Sequence, residues 1–172
     1  ELTFVFKGQT EVEINYLFSR ERFGGRIFSG IRRWTFGLES RFSEIVNVAS
    51  RIEFGRSVYR DIDNPELGEI LVVSLWSGFK PTQQLYLTTN FEYARMNHRD
   101  SYFETYPDAG KELFSGYIIR SRMTYQFTRE WSLRLVMEYD DFEEYFVVEP
   151  LVTWQLNPFT VFFAGMNSNY RY

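Results

Sequence analysis

Residues 127–142 read FTREWSLRLVMEYDDF, and the fold turns on how this stretch is read. The odd positions Trp131, Leu133, Leu135, Met137 and Tyr139 are apolar or aromatic; the even positions Ser132, Arg134, Glu138 and Asp140 are polar, with Val136 the exception. Successive side chains of a strand point to opposite faces, so this alternation predicts a strand that is greasy on one side and charged on the other.

The same period of two runs through the chain. Val12, Ile14, Tyr16 and Phe18 oppose Glu11, Glu13 and Asn15. Trp34, Phe36 and Leu38 oppose Arg33, Thr35, Gly37 and Glu39. Val46, Val48, Ile52, Phe54 and Val58 oppose Asn47, Ala49, Arg51, Glu53 and Ser57. Leu85, Leu87, Phe91 and Tyr93 oppose Thr88, Asn90 and Glu92, and Tyr117, Ile119, Met123 and Tyr125 oppose Arg120, Arg122, Thr124 and Gln126. No segment has the spacing of an amphipathic helix. Strands are predicted over 2–6, 11–21, 26–39, 45–59, 69–79, 83–96, 113–127, 130–140, 145–155 and 159–167.

The connections follow a rule of their own. KGQT (7–10), SRFSE (40–44), FKPTQ (79–83), FTRE (127–130) and QLNPF (155–159) carry the Gly, Pro, Asn and Ser of tight turns. Between them fall the segment around Gly24–Gly25, RDIDNPELGE (60–69), NHRDSYFETYPDAGKEL (97–113) and DDFEE (140–144). Short and longer connections therefore alternate, as in an up-and-down meander with tight turns at one end and larger acidic loops at the other. Outer-membrane barrels have that asymmetry. The predicted strands are also long: a tilted membrane crossing needs about 9–11 residues, whereas globular strands peak near 5–6.

Composition narrows the classes further. The chain has 172 residues, 20% of them aromatic, yet its mean hydropathy is −0.33. Segregation of apolar residues onto one face of many strands reconciles those values. The net charge of −4 supplies no basic field for nucleic acid. The absence of Cys removes disulfides and thiolate metal sites and suits an exported bacterial protein. No run of about 18 apolar residues exists for a membrane-spanning helix, which says nothing against a barrel. A chain starting at Glu1 is read as mature or partial, with no leader to inspect.

Alternation alone does not separate a soluble sandwich, with its apolar face as core, from a membrane barrel, with that face on lipid. Three details favour the barrel. The polar faces hold Arg33, Arg51, Arg120, Arg122 and Arg134 against Glu13, Glu39, Glu53, Glu92, Glu138 and Glu149, with no Lys among them. A solvated face would use Lys freely, whereas a crowded interior favours the planar fork of Arg. Small residues (Gly37, Ala49, Gly55, Gly116) share that face and suit a narrow interior. Aromatics such as Tyr93, Phe127, Trp131, Tyr139, Trp154 and Phe159 gather near strand ends, as interfacial girdles do. The charged set is therefore expected to line a lumen; Trp34, Phe36, Phe54, Phe91, Tyr93, Tyr125, Phe127, Trp131, Leu133, Tyr139 and Trp154 are expected to face lipid. Arg32 has the parity of Trp34, which requires either a bulge near Gly30 or a position close to an interface; Arg56 near a strand end is read in the same way.

The C-terminal third, TYQFTREWSLRLVMEYDDF followed by VVEPLVTWQLNPFTVFFAGMNSNY, resembles the end of a family of bacterial outer-membrane proteins of unknown function. In that family a sandwich similar to family-nine carbohydrate-binding modules precedes a C-terminal barrel. The matching pieces run from Tyr125 to Arg134 and from Glu149 to Gly165, with the Asn157–Pro158 turn between two strands. The resemblance covers about the last fifty residues and implies that the chain is a C-terminal barrel piece without the sandwich. It carries no catalytic residue. The terminal NYRY reads as an outer loop.

Candidate chemistry is sparse. His98 is the one histidine, and with Asp100 and Ser101 it could form a rim site; a solvated loop histidine is the plainer reading. Asp61, Asp63, Glu66 and Glu69 offer oxygen ligands suited to calcium without the order of a calcium loop, and read as an acidic outer loop. Asp140, Asp141, Glu143 and Glu144 suggest paired catalytic carboxylates only superficially, since a hairpin tip solvates such acids. No phosphate loop, nucleophile elbow or dinucleotide fingerprint occurs.

The expectation is an all-β, antiparallel up-and-down transmembrane β-barrel over residues 1–172, or a section of a larger one, in a Gram-negative-type outer membrane. It would act as a channel, anchor or scaffold, not as an enzyme, with no cofactor and no metal. Its partners would be outer-membrane lipid, other envelope proteins or a glycan, and not nucleic acid. The alternatives are an outer-membrane enzyme using His98 and Asp100, and a soluble β-barrel that binds a lipid or sugar.

Overall fold

Alternating apolar and polar residues, rich in β-branched and aromatic side chains, form eleven strands in the computed structural model. It describes residues 1–41, 43–99 and 110–171. The strands are β1 (Leu2–Phe6), β2 (Thr10–Phe23), β3 (Arg26–Ser40), β4 (Val46–Tyr59), β5 (Glu66–Phe79), β6 (Leu85–His98), β7 (Glu112–Gln126), β8 (Trp131–Asp140), β9 (Tyr145–Asn157), β10 (Thr160–Gly165) and β11 (Ser168–Arg171). Each strand from β2 to β10 pairs antiparallel with its predecessor, and β11 pairs with β9. The chain is thus one up-and-down sheet with no helix among the described residues. Among those residues β1 pairs only with β2, and β10 and β11 only with β9, so the sheet is open. It corresponds to part of a barrel.

The predicted strands are present, with the largest correction at the C-terminus. The stretch 159–167 is shorter than expected, and Asn169–Arg171 lies in β11 rather than in a loop. β10 and β11 are two halves of one line running along β9, opposite Leu151–Asn157 and Tyr145–Val148. Pro150 accounts for the break. Its carbonyl accepts a bond from the Met166 N–H (3.2 Å), so its nitrogen, which has no proton to donate, faces the same neighbour. The ladder loses a rung there, and the neighbouring strand divides.

Connections at the two ends use different chemistry. At the tight-turn end a side-chain oxygen accepts backbone N–H groups: Ser43 from Ile45 and Val46, Thr82 from Gln84 and Leu85, Thr128 from Glu130 and Trp131, Asn157 from Phe159. At the other end Asp61 and Asp140 do this work. The ends alternate as expected, but Gly24–Gly25 is a two-residue turn rather than a longer loop. Both residues have positive φ (55° and 78°), the backbone that such a hairpin turn demands.

A bulge does occur near Gly30. The β2–β3 register shifts between Ser19 and Arg20, leaving Gly30 as the extra residue at φ 78°. Arg32 lies on the other side of that shift, paired with Phe18 and Arg56, and so stays on the face of Trp34.

Candidate functional site

The register brings the eleven predicted charged residues onto one face. Gly37 sits between Glu13 and Arg51 across three strands, and Asn90, Arg120 and Glu138 form the corresponding row further along. The other face carries the eleven aromatic and apolar residues singled out above, Phe127 lying just past the end of β7.

Charges on the polar face neutralise one another. Arg33 Nη1 donates to Glu53 Oε1 at 2.9 Å, Arg51 Nη2 to Glu13 Oε2 at 3.3 Å, and Arg120 Nη1 lies 3.3 Å from Glu138 Oε2. The Arg51–Glu13 pair reaches across β3 because Gly37 intervenes: a Cβ there would meet Glu13 Cβ at 3.3 Å. Tyr145 donates its hydroxyl to Glu138 (2.9 Å), and Asn167 Nδ2 donates to Glu149 (2.9 Å). Glu39 is held by Arg41 at 3.4 Å in the adjacent turn. Arg122, Arg134 and Glu92 make no ion pair among the described residues.

Glu13, Glu39, Arg51, Glu92, Arg120 and Glu138 border a trough of about 630 Å³ on the polar face, with Trp76 and Ala49 in its wall. Toward the Gly24–Gly25 end the same face turns apolar. Ile31 and Met96 are buried there, Tyr59 stacks on Phe114 at 6.2 Å, and Phe142 folds in over Gly116. Phe142 and Phe114 meet at 6.3 Å. Sequence reading missed this apolar plug. Its signal was available in Met96 and Phe114, which have polar-face parity near strand ends.

The opposite face is uncovered. Phe36, Ile52, Phe54, Leu75, Ile119 and Met137 are all exposed, although they occupy the middle of the sheet. Their rings form ladders: Tyr16–Trp34 at 4.6 Å, Trp34–Phe36 at 6.2 Å, Phe36–Phe54 at 5.9 Å, and Trp131–Trp154 and Trp154–Phe162 at 5.5 and 5.3 Å. Only Ile31, Val58, Met96 and Val136 are buried apolar residues among those described. The surface, 12272 Å², exceeds the roughly 8,900 Å² expected of a compact monomer of this mass. Among the described residues no second layer packs on the apolar face.

The loop candidates need correction. His98 is the last residue of β6, not a loop residue; its side chain is 14% exposed, with Nδ1 2.7 Å from Glu66 Oε1. Asp100 and Ser101 lie outside the described residues. Asp61, Asp63, Glu66 and Glu69 do not converge. Glu66 and Glu69 belong to β5, three residues apart and hence on opposite faces, and Asp61 is occupied by the N–H groups of Asp63 and Asn64. Asp140 is buried rather than solvated and closes its turn by accepting from Phe142 and Glu143. No group of three or more potential metal ligands forms among the described residues.

Comparison with family models, with curated proteins and with solved structures gave no match.

Proposed function

We propose that the chain is the strand meander of a transmembrane β-barrel in a Gram-negative-type outer membrane, serving as a passive channel, anchor or scaffold. The observation that carries this reading is the exposed aromatic and aliphatic face, set against an ion-paired polar face that lines a trough. A water-soluble sheet buries its apolar face, because each fully exposed large side chain forgoes about 1.5–3 kcal/mol. A barrel wall reverses that arrangement, with lipid outside and polar residues within.

Dimensions fit as well. Beyond Arg56 as far as Val46, and beyond Arg95 as far as Leu85, the apolar face carries no charged residue. Each stretch is about 33 Å along the strand, or ~25 Å of depth at the usual barrel tilt, which matches the apolar band of outer-membrane barrels. The unpaired edges of β1 and β10–β11 then meet one another or further strands, since an open edge is not tolerated in lipid. The C-terminal resemblance adds an association with carbohydrate binding or uptake. Opposed charges in the trough disfavour a strong single-ion filter.

The test is to express the full-length chain and run its membrane fraction on a gel with and without boiling. Outer-membrane fractionation with a heat-shifted band is expected; a detergent-free soluble protein with no shift would overturn the barrel. Conductance across a planar bilayer then separates a channel, which gives discrete steps, from an anchor or scaffold, which gives none.

A further inference from the structure

Charge on the apolar face is not scattered. Within its strands the described residues of that face carry five arginines, Arg20, Arg22, Arg32, Arg56 and Arg95, and two glutamates, Glu69 and Glu112. All seven lie toward the end that holds the Gly24–Gly25 turn and the 60–65 loop. From β8 to β11 this face has no charge at all.

None of the five arginines makes an ion pair among the described residues, in contrast to Arg33, Arg51 and Arg120 across the sheet. Glu112 is engaged by the Ser115 hydroxyl at 2.6 Å. Arg32 and Arg56 are direct cross-strand partners. Like charges so placed repel; Glu69, the cross-strand partner of Arg56 on its other side, makes no ion pair with it. Arg32 also sits over the Phe18 ring, its guanidinium carbon 5.7 Å from the centroid. Together with Glu69, Asn97 and Trp34, Arg32, Arg56 and Arg95 border a depression of about 440 Å³.

We propose that this collar binds the phosphate groups of anionic membrane lipids, with their acyl chains lying on the Trp34–Phe54–Leu71 band beside it. The proposal rests on the barrel reading above. Arginine forks take phosphate oxygens bidentately, and a phosphate placed between Arg32 and Arg56 relieves their repulsion. The occupant is a lipid rather than a free anion because the depression opens directly onto the apolar band, where a headgroup brings its own hydrocarbon. The excess of arginine over glutamate sets the sign of the partner.

The experiment uses the full-length chain, purified in neutral detergent and shown to give a heat-shifted band. Equal amounts of phosphatidylglycerol and phosphatidylcholine are added, and retained lipids are counted by native mass spectrometry. The wild type is expected to retain the anionic lipid preferentially; Arg32→Gln/Arg56→Gln/Arg95→Gln should lose about tenfold or more of that preference, given the attraction each basic residue exerts on anionic lipid. Arg33→Gln/Arg51→Gln/Arg120→Gln, on the opposite face, should keep it. If the triple collar variant does not fold, Arg56→Gln alone must lower the preference. A heat-shifted protein whose collar variant retains its preference overturns the collar and leaves the barrel standing. Full displacement of the lipid by millimolar inorganic phosphate overturns the lipid assignment in favour of a free-anion site. A chain that shows no heat shift and stays soluble overturns the barrel, and the collar with it.

Discussion

Arginine occurs on both faces of this sheet and behaves differently on each. On the polar face Arg33, Arg51 and Arg120 each lie within 3.3 Å of a glutamate oxygen. On the apolar face Arg32, Arg56 and Arg95 lie in the half of their strands nearer the Gly24–Gly25 end, without such partners among the described residues. Between that level and the tight-turn end, arginine occurs within the strands only on the polar face, at Arg51, Arg120, Arg122 and Arg134, the first two held by Glu13 and Glu138. That contrast is what a hydrocarbon layer on one side and a narrow polar interior on the other would impose. A sheet with water on both faces has no reason to obey it.

The largest test places a charge where the apolar face has none. Leu75→Arg is expected to cost about 2–4 kcal/mol in urea unfolding from lipid vesicles, the penalty for arginine at the middle of a barrel wall. Leu75 is 47% exposed, so in a water-soluble sheet the same change would be close to neutral, and that outcome would erase the contrast between the faces.

The second test concerns crowding. A side chain at Gly116 would meet the Phe142 ring at 2.7 Å, and one at Gly55, where φ is 140°, would strike the Arg32 carbonyl. Gly116→Val should destabilise by about 1–3 kcal/mol. Thr88→Val, on the same face but at an open position, should change stability by less than about 0.5 kcal/mol in the same unfolding assay.

Asp140 offers a smaller effect. Asp140→Ala removes the acceptor of two N–H groups at 2.8 and 3.1 Å and should cost about 1–2 kcal/mol. Asp141→Ala, one residue away, should cost nothing measurable. Equal losses would mean that the turn depends on total charge and not on the buried acceptor.

The smallest effect separates the two kinds of arginine. Glu53→Gln leaves Arg33 without its carboxylate, and because the pair is a quarter to a third exposed, the loss should be about 1 kcal/mol or less. Arg32→Gln should leave stability unchanged in neutral detergent. A loss for Arg32→Gln equal to that for Glu53→Gln would show that the collar is structural.

Much of this fold is legible in the residues themselves. The alternation Trp131, Leu133, Leu135, Met137, Tyr139 can be read only as a strand, and the Ser, Thr and Asn of the tight turns mark where the chain reverses. The assignment of Glu13, Arg33, Arg51, Arg120 and Glu138 to one face follows from parity alone. His98 and Asp140 were misread because proximity to a loop was equated with exposure: His98 pairs with Glu66 from the neighbouring strand, and Asp140 turns back on its own hairpin. Neither contact has a periodic signature.

Composition and period, local properties of a strand, determine that the chain is a meander with one apolar and one charged side. Which glutamate each arginine meets was decided by register, a sum over every turn and bulge from Gly8 to Pro150. Parity with Trp34 keeps Arg32 on the apolar face, the bulge at Gly30 re-aims only the residues before it, and Gly37 lets Arg51 span a strand to reach Glu13. The collar has the same origin. Arg20, Arg32, Arg56 and Arg95 are far apart in the chain and individually unremarkable, and only the stacking of antiparallel strands brings them to one height on one face. Pairing across strands is a long-range property, so no window of sequence contains it.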